Sequence, residues 1–264
     1  MGLLDGKKAL VFGVVNELSI AWGIASNFAR EGATVGFSFQ PVPKIERRCR
    51  MCVETLTPAP AFVEPCDVSK DEDIANLMKR WQAVHGTLDI IVHSIAFAPA
   101  AALHAPFLQT RREDFLTAID VSAYSLVAIC REAAPLMSPG ASVLAISYIG
   151  AIAYMPHYNV MAVAKSALEC SVRYLAAELG RGTDSGTKAV RVNAISAGPI
   201  PTMASKGVGD VDRVREHYEA KNCLGRNVDQ DEVGRTAVFL ASHLASGITG
   251  EVIYVDGGYR IVGW

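Results

Sequence analysis

The chain has 264 residues, of which half are hydrophobic and a fifth are charged, with a formal net charge of −2. This composition excludes a largely disordered protein, and the length fits a single α/β domain. A charge so close to zero gives no general attraction to nucleic acid or anionic lipid. We therefore expect binding to neither nucleic acid nor a membrane. The first residues lack the charged-then-apolar order of a secretory signal, so we expect a cytoplasmic protein.

Short apolar runs alternate with helix-length segments along the whole chain. The strand candidates lie at 8–12, 34–39, 61–65, 89–93, 142–147, 190–195 and 252–255. The helix candidates lie between them, at 20–31, 44–55, 71–84, 112–135, 157–180 and 229–243. Because the strands are apolar almost throughout, helices should cover both faces of their sheet. We therefore predict one Rossmann-type α/β domain over residues 1–264, a doubly wound parallel sheet of about seven strands with helices on both faces.

The first predicted strand runs into a glycine-containing turn at 13–23. A dinucleotide phosphate needs a residue without Cβ for close approach and free N–H groups at the start of the next helix. Gly13, Ser19, Ile20 and Gly23 can supply these. The turn departs from the Gly-x-Gly-x-x-Gly pattern, however, and also fits a plain strand-to-helix connection.

The ends of the second and third strands carry candidate adenosine contacts. An acidic residue commonly binds the ribose after the second strand, and a nearby arginine commonly accommodates a 2′-phosphate. Gln40 can hydrogen-bond a hydroxyl there, which favours NADH over NADPH. Arg47 and Arg48 keep NADPH open, unless they form a solvated helix face. Asp67 and Val68 follow the third strand, where an adenine could rest, although they also fit an ordinary loop and helix cap.

Two further patterns carry no predicted chemistry. His93 ends an apolar strand, where a histidine is more often a structural group than a general acid. Cys49 and Cys52 have the spacing of a redox or metal pair, but no second pair or histidine cluster accompanies them. We therefore predict reduced helix cysteines one turn apart and no metal site.

Tyr158 precedes Lys165 by seven residues, and Tyr148 lies ten residues before Tyr158. Seven helical residues at about 100° each bring Tyr158 and Lys165 to one face, about 10 Å apart along the axis. Because helical side chains lean toward the N-terminus, the lysine stops short of the phenol and leaves room for a polar ligand, such as the ribose of a redox cofactor. By default, an isolated pair of this kind is an amphipathic helix pair without chemistry.

A stretch punctuated by glycine and proline follows the sixth predicted strand, where parallel sheets place ligand loops. We predict a substrate-binding lid around residues 198–220, called here the lid segment. The basic residues between 213 and 226 would attract an acidic partner. Glu216 and Glu219 dilute that charge, and a solvated mixed-charge helix is the alternative.

Together these motifs resemble those of the bacterial NADH-dependent enoyl-acyl-carrier-protein reductases, within the short-chain dehydrogenase/reductase superfamily. The resemblance covers nearly the whole chain and is carried by the segments 13–23, 93–98, 147–148, 158–165, 191–200 and 247–258. Ordinary members of the superfamily place the lysine four residues after the tyrosine, where this chain has Ala162. The longer interval to Lys165 is the specific part of the likeness.

The resemblance implies that NADH reduces the trans-2 double bond of enoyl thioesters on acyl carrier protein, the last reductive step of fatty acid elongation. It implies that Tyr158 and Lys165 are catalytic, that Tyr148 is a second active-site tyrosine, and that Ala98 lies beside the substrate. The positions matching dinucleotide contacts are Gly13, Ser19, Ile20, Gln40, Asp67, Val68, Ile95, Lys165, Ile200, Pro201, Thr202, Met203 and Ala204. The family also implies a homotetramer, with the apolar C-terminal segment 252–264 as a candidate interface.

Two other functions share the predicted fold. A ketoreductase would normally show a serine and the four-residue tyrosine-to-lysine interval, which this chain lacks. A noncatalytic dinucleotide sensor could keep the cofactor turn, but it would not need two tyrosines facing the nicotinamide.

Overall fold

The computed structural model describes residues 2–182, 189–203, 205 and 211–263. Within them, seven strands form one sheet in the order β3-β2-β1-β4-β5-β6-β7, and all neighbouring strands are parallel. The strands are β1 (Lys8–Phe12), β2 (Thr34–Phe39), β3 (Val63–Pro65), β4 (Leu88–His93), β5 (Met137–Ser147), β6 (Arg191–Ala197) and β7 (Val252–Val255). The predicted parallel sheet is confirmed.

Helices cover both faces of this sheet. They are α1 (Ile20–Arg30), α2 (Pro43–Val53), α3 (Asp71–His85), α4 (Ala100–His104), α5 (Arg112–Ile119), α6 (Ser125–Ala133), α7 (Asn159–Arg181), α8 (Val211–Lys221) and α9 (Gln230–Ala241). Trp81 of α3, Leu126 of α6 and Leu168 of α7 lie in the core on one face. Ile24 and Phe28 of α1 lie in the core on the other, with residues of α2 and α9. The doubly wound arrangement follows from strands whose alternate side chains enter two different cores.

The predicted helical stretch at 112–135 is helical throughout, but it is not one regular α-helix. A π-helical turn, Asp120–Tyr124, separates α5 from α6. It places the Ser122 hydroxyl against the backbone of Phe97, whose N–H donates to Ser122 Oγ at 2.9 Å. Ser122 Oγ in turn donates to the Phe97 carbonyl oxygen at 3.0 Å. The contact lies 25 residues away in sequence, so helical periodicity could not reveal it.

Other element boundaries also differ from the prediction. The third strand is shorter than predicted and the fifth is longer, beginning at Met137. The short helix α4 was missed, and α8 was considered only as the alternative to a docking rim. Among the described residues, none of the helices combines the length and the apolar character that crossing a bilayer requires.

Gly23 packs against another helix, whereas the sequence suggested that it could help to bind a phosphate. A Cβ there would collide with the carbonyl oxygen of Gln230, at the start of α9. The residue therefore permits close packing of α1 against α9, and Gly23 does not line the cleft described below.

Candidate active site

A cleft of about 1810 Å³ runs along the carboxyl ends of the strands. It spans the point between β1 and β4 where the order of strand addition reverses, which is where parallel α/β proteins bind their ligands. The predicted site residues that line it are Gly13, Ser19, Ile20, Gln40, Asp67, Val68, Ile95, Ala98, Tyr148, Tyr158, Lys165, Ile200, Thr202 and Met203. Pro201 is half-buried and outside this lining. Ala204 lies outside the described residues.

The turn after β1 is shaped by Gly13 and Ser19. Gly13 has φ +97°, and a Cβ on it would collide with the carbonyl oxygen of Ser94, so only glycine fits. Ser19 Oγ accepts hydrogen bonds from the N–H groups of Val15 at 3.1 Å and Asn16 at 3.2 Å. Ser19 thus closes the turn and makes no side-chain cap to α1. The start of α1, at Ile20, remains open toward the cleft as an anion site would require.

The end of β2 forms another part of the wall. Ser38 is buried, and its hydroxyl has no hydrogen-bond partner among the described residues. Gln40, Lys44 and Arg48 line the cleft beside it. Arg48 is half-buried there, whereas Arg47 is exposed and outside the lining. Of these two arginines, therefore, only Arg47 fits the interpretation as part of a solvated helix face.

Asp67 is already engaged within its own loop. Its carboxylate accepts hydrogen bonds from Ser69 N at 3.1 Å and Ser69 Oγ at 2.7 Å, and it lies 3.2 Å from Lys70 Nζ. The ordinary loop interpretation describes these contacts, although Asp67 also lines the cleft. An adenine contact at Asp67 stays a prediction.

Tyr148 and Tyr158 meet at the opposite end of the cleft. Tyr148 directly follows β5, Tyr158 directly precedes α7, and their rings pack edge to face with centroids 4.9 Å apart. Gly150 lies behind them: a Cβ there would come within 2.5 Å of the Tyr158 ring and 3.3 Å of the Tyr148 ring. This role of Gly150 was not predicted, although a glycine in a turn after a strand was the available signal.

Lys165 is buried beside this pair. Its Nζ donates to the carbonyl oxygen of Ile146 at 2.6 Å, which leaves two of its three N–H donors for other partners. Burial lowers the pKa of Lys165 to about 8, while the charge of Glu169 acts to raise it. Glu169, four residues further along α7, accepts a hydrogen bond from Ser147 Oγ at 2.6 Å. This buried carboxylate was also missed.

The two tyrosines are protonated at neutral pH. Burial raises the pKa of Tyr148 to about 12. Burial also raises the pKa of Tyr158, and the neighbouring Tyr148 and Glu169 add to the effect. Both phenols therefore remain hydrogen-bond donors over the whole physiological range.

Asn159 joins the start of α7 to helix α4. Its Nδ2 lies 2.8 Å from the carbonyl oxygen of Ala105, 3.0 Å from that of Leu103 and 3.3 Å from that of Ala102. Asn159 adopts φ +38°, in the left-handed region that asparagine tolerates better than most residues. The amide thus holds α4 at the start of α7, and Ala98 packs against the cluster of Leu103, Tyr158 and Met161.

Helix α8, at the end of the predicted lid segment, contributes residues to the wall of the cleft. Tyr218 is buried, and its hydroxyl donates to the Tyr148 hydroxyl at 3.0 Å. The lid residues Thr202, Met203 and His217 line the cleft. Positions 204 and 206–210 of the predicted lid lie outside the described residues. Tyr218 was missed because nothing in its local sequence points to a partner 70 residues earlier.

His93 and the cysteine pair have the surroundings of structural groups. His93 is fully buried, with Nε2 2.8 Å from Ser125 Oγ, and burial together with Lys165 lowers its pKa to about 3. Cys49 and Cys52 are buried free thiols, and burial raises their pKa values to about 11 and about 12. Across the described ranges, His, Cys, Asp and Glu form no cluster of three that could hold a metal ion.

The family model described as enoyl-(acyl carrier protein) reductase matches residues 13–260. The chain belongs to this family. A relative from Nostoc sp., named enoyl-[acyl-carrier-protein] reductase [NADH], is 48% identical over 262 residues, covering 98% of each chain. The crystal structure of the Bacillus cereus reductase with NADP+ and an indole naphthyridinone has a TM-score of 0.94 and 44% identity, with both chains fully covered. The Anaplasma phagocytophilum reductase in complex with NAD has a TM-score of 0.90 and 39% identity, covering all of this chain and 95% of that one.

Proposed function

We propose that this chain is an NADH-dependent enoyl-[acyl-carrier-protein] reductase. It reduces the trans-2 double bond of an enoyl thioester, in the last reductive step of fatty acid elongation. The observation that carries this conclusion is the pair Tyr148 and Tyr158 with buried Lys165, at the end of a cleft that also contains the Gly13 turn. Family membership and relatives named for this activity support it.

The residues present fit a dinucleotide. Gly13 forms a bend that any Cβ would fill, and Ser38 offers a buried hydroxyl without a partner among the described residues. We propose that the Gly13 turn and the start of α1 hold the pyrophosphate, and that Gln40 holds the adenosine ribose. Lys165, with two free donors, would hold the nicotinamide ribose.

Reduction of an enoyl thioester places negative charge on the thioester oxygen, and such charge needs a positioned donor. When bound, NADH would supply the hydride for the β-carbon, and the enolate would then take a proton from water at the α-carbon. Tyr158 donates a hydrogen bond to the developing enolate oxygen, and its raised pKa keeps the phenol protonated for that task. Lys165 contributes a fixed positive charge and anchors the ribose. Tyr148 and Ala98 line the space beside Tyr158 where the acyl chain would lie.

One contact weighs against ketoreduction. Ser147, the serine that precedes the active-site tyrosines, donates its hydroxyl hydrogen to Glu169 at 2.6 Å. It is therefore not available to a substrate carbonyl, and position 162 is alanine rather than lysine.

An assay of the full chain separates the three functions. NADH oxidation is followed with a trans-2-enoyl thioester and, separately, with a 3-ketoacyl thioester. We expect oxidation with the enoyl thioester only. Oxidation with the ketoacyl thioester alone would identify a ketoreductase, and tight NADH binding without turnover of either compound would identify a sensor.

The choice of cofactor can be tested at Arg48. Relatives of this chain are named for NADH, whereas the Bacillus cereus crystal contains NADP+. We propose that NADH is the cofactor, and that Arg48, beside Lys44 in the cleft wall, is able to meet a 2′-phosphate. Arg48→Ala should raise the KM for NADPH severalfold and leave the KM for NADH within about twofold, because only NADPH carries that charge. Arg47→Ala is the matched control and should change neither value.

We also propose that the chain forms a homotetramer and that the lid segment covers the acyl chain. The C-terminal residues Ile261 and Val262 support an interface, because Ile261 is 70% exposed in the single chain although it is apolar. Light scattering should give four chains per particle, and Ile261→Glu should lower that number. A monomeric wild type would contradict the assembly without affecting the assigned reaction.

A further inference from the structure

We propose that Tyr218 is a positioning residue: its phenol holds the Tyr148 hydroxyl, so that Tyr148 stays against Tyr158 and directs its own O–H into the cleft. The inference rests on the proposed function, because it gives a task to a side chain of the same site. Tyr218 itself does not line the cleft, so it acts through Tyr148.

Tyr218 is the anchor of helix α8. The helix, Val211–Lys221, is polar along most of its length. Its buried residue is Tyr218, with 1% exposure. A helix with so little apolar surface gains little by packing, and a single large buried ring therefore fixes where it lies. Tyr218 thus supplies the buried contact of α8, alongside polar contacts of His217 with Tyr259 and of the Arg215 carbonyl with Asn227.

The direction of the Tyr218 hydroxyl is set by a stack of rings. Tyr218 lies flat on Tyr259, with centroids 3.7 Å apart and an interplanar angle of 11°. Tyr259 is itself held by His217, whose Nε2 is 3.1 Å from the Tyr259 hydroxyl. On the other side, Tyr218 and Tyr148 are nearly parallel, with centroids 6.4 Å apart. Stacking on Tyr259 opposes tilting of the Tyr218 ring, and the hydrogen bond to Tyr148 fixes the direction of its hydroxyl.

The hydrogen bond has a chemical consequence for Tyr148. A phenol oxygen has one hydrogen and two lone pairs. Because Tyr148 accepts the hydrogen of Tyr218 at 3.0 Å, its own hydrogen is free to point elsewhere, and Tyr148 lines the cleft. Accepting one hydrogen bond also polarises the O–H and makes it a better donor. The rings of Tyr148 and Tyr158 pack edge to face, so restraint of the first ring restrains the second.

The test is Tyr218→Phe, which keeps the ring and its stack on Tyr259 and removes only the oxygen. We expect kcat with an enoyl thioester to fall about fivefold to tenfold, as the loss of one net hydrogen bond would produce. The Kd for NADH should stay within about twofold, since Tyr218 is outside the cleft. Tyr124→Phe is the control, because it loses a tyrosine hydrogen bond to Arg131 at 3.2 Å outside the cleft lining. It should leave kcat unchanged.

A double-mutant cycle distinguishes positioning from a general structural role. Turnover is measured for Tyr148→Phe, Tyr218→Phe and the double variant, with circular dichroism and urea unfolding as checks that each is folded. If Tyr218 acts through the Tyr148 hydroxyl, the double variant should be no slower than Tyr148→Phe. Losses that multiply, or an unchanged kcat in Tyr218→Phe, would overturn the role of Tyr218. A wild-type chain inactive with every enoyl thioester would instead overturn the proposed function, and this inference with it.

Discussion

The two ends of the cleft are built in different ways. The Gly13 end is shaped by backbone: a bend at φ +97°, a hydroxyl that closes its own turn, and the open start of α1. The Tyr158 end is shaped by side chains from distant segments, among them Tyr148, Tyr218 and Asn159. Substitutions at the Gly13 end should therefore change mainly the affinity for the cofactor, and substitutions at the Tyr158 end should change mainly turnover.

The largest effect should come from Tyr158→Phe, which removes the donor to the enolate oxygen. We expect kcat to fall roughly a hundredfold or more, by analogy with the loss of one donor from an oxyanion site. The Kd for NADH should remain close to that of the wild type. Tyr174→Phe serves as the control, because Tyr174 lies on the same helix and is exposed. A large loss of NADH binding in Tyr158→Phe would indicate a structural tyrosine.

Gly13→Ala should have the next largest effect, this time on binding. Its Cβ would strain the backbone and collide with Ser94, so the turn must shift. We expect the Kd for NADH to rise by roughly one to two orders of magnitude, measured by fluorescence or calorimetry, a range set by the few kcal/mol that such strain costs. Gly86→Ala is the matched control, because Gly86 also has positive φ, +74°, but open space around its Cβ position. Equal NADH affinity in the two variants would argue against a cofactor role for the Gly13 turn.

Gly150→Ala should lower turnover by disturbing the Tyr158 end of the cleft. Its methyl group would press on the ring of Tyr158, which cannot move without disturbing Tyr148. We expect kcat to fall about tenfold, as the loss of roughly 1.4 kcal/mol of transition-state stabilisation would produce, with a smaller change in NADH affinity. Gly247→Ala provides the comparison, since its added methyl would meet nothing within 4 Å. If both variants kept full turnover, the close packing of the tyrosine pair would not matter for the reaction.

A change of pH should have a smaller effect, on the affinity for NADH. Burial lowers the pKa of Lys165 to about 8, so its charge is present below that pH and is lost as the pH rises through it. Since the ribose contact uses the ammonium group, the Kd for NADH should increase severalfold between about pH 7 and about pH 9.5. In Lys165→Ala, binding should be weak at both pH values and should lose this dependence. A wild-type Kd that is flat over the interval would remove the charge of Lys165 from the ribose contact.

The contrast between the two ends also explains what could be predicted from sequence. The strands, the turn after β1 and the nearness of Tyr158 and Lys165 to one cleft depend on local periodicity and on helix geometry, and these follow from neighbouring residues. The assignments of the reaction and of the second tyrosine came from the family resemblance, whereas the preference for NADH also rested on Gln40.

The missed features depend on contacts between distant parts of the chain. The hydroxyl of Tyr218 matters because it contacts Tyr148, and the π-helical turn that contains Ser122 lies against the backbone of Phe97. Glu169 and Gly150 become notable only when β5, α7 and their turns are assembled. No window of local sequence contains both partners of such a contact, so the folded structure was needed to find them.

The central claim is that a nicotinamide ribose lies between the phenol of Tyr158 and the ammonium group of Lys165. A crystal structure of the chain with NADH tests it most directly. We expect ribose hydroxyls within hydrogen-bonding distance, about 2.6–3.2 Å, of both Tyr158 Oη and Lys165 Nζ. A ribose that contacts neither side chain, or a Tyr158 and a Lys165 that face separate environments, would contradict the account.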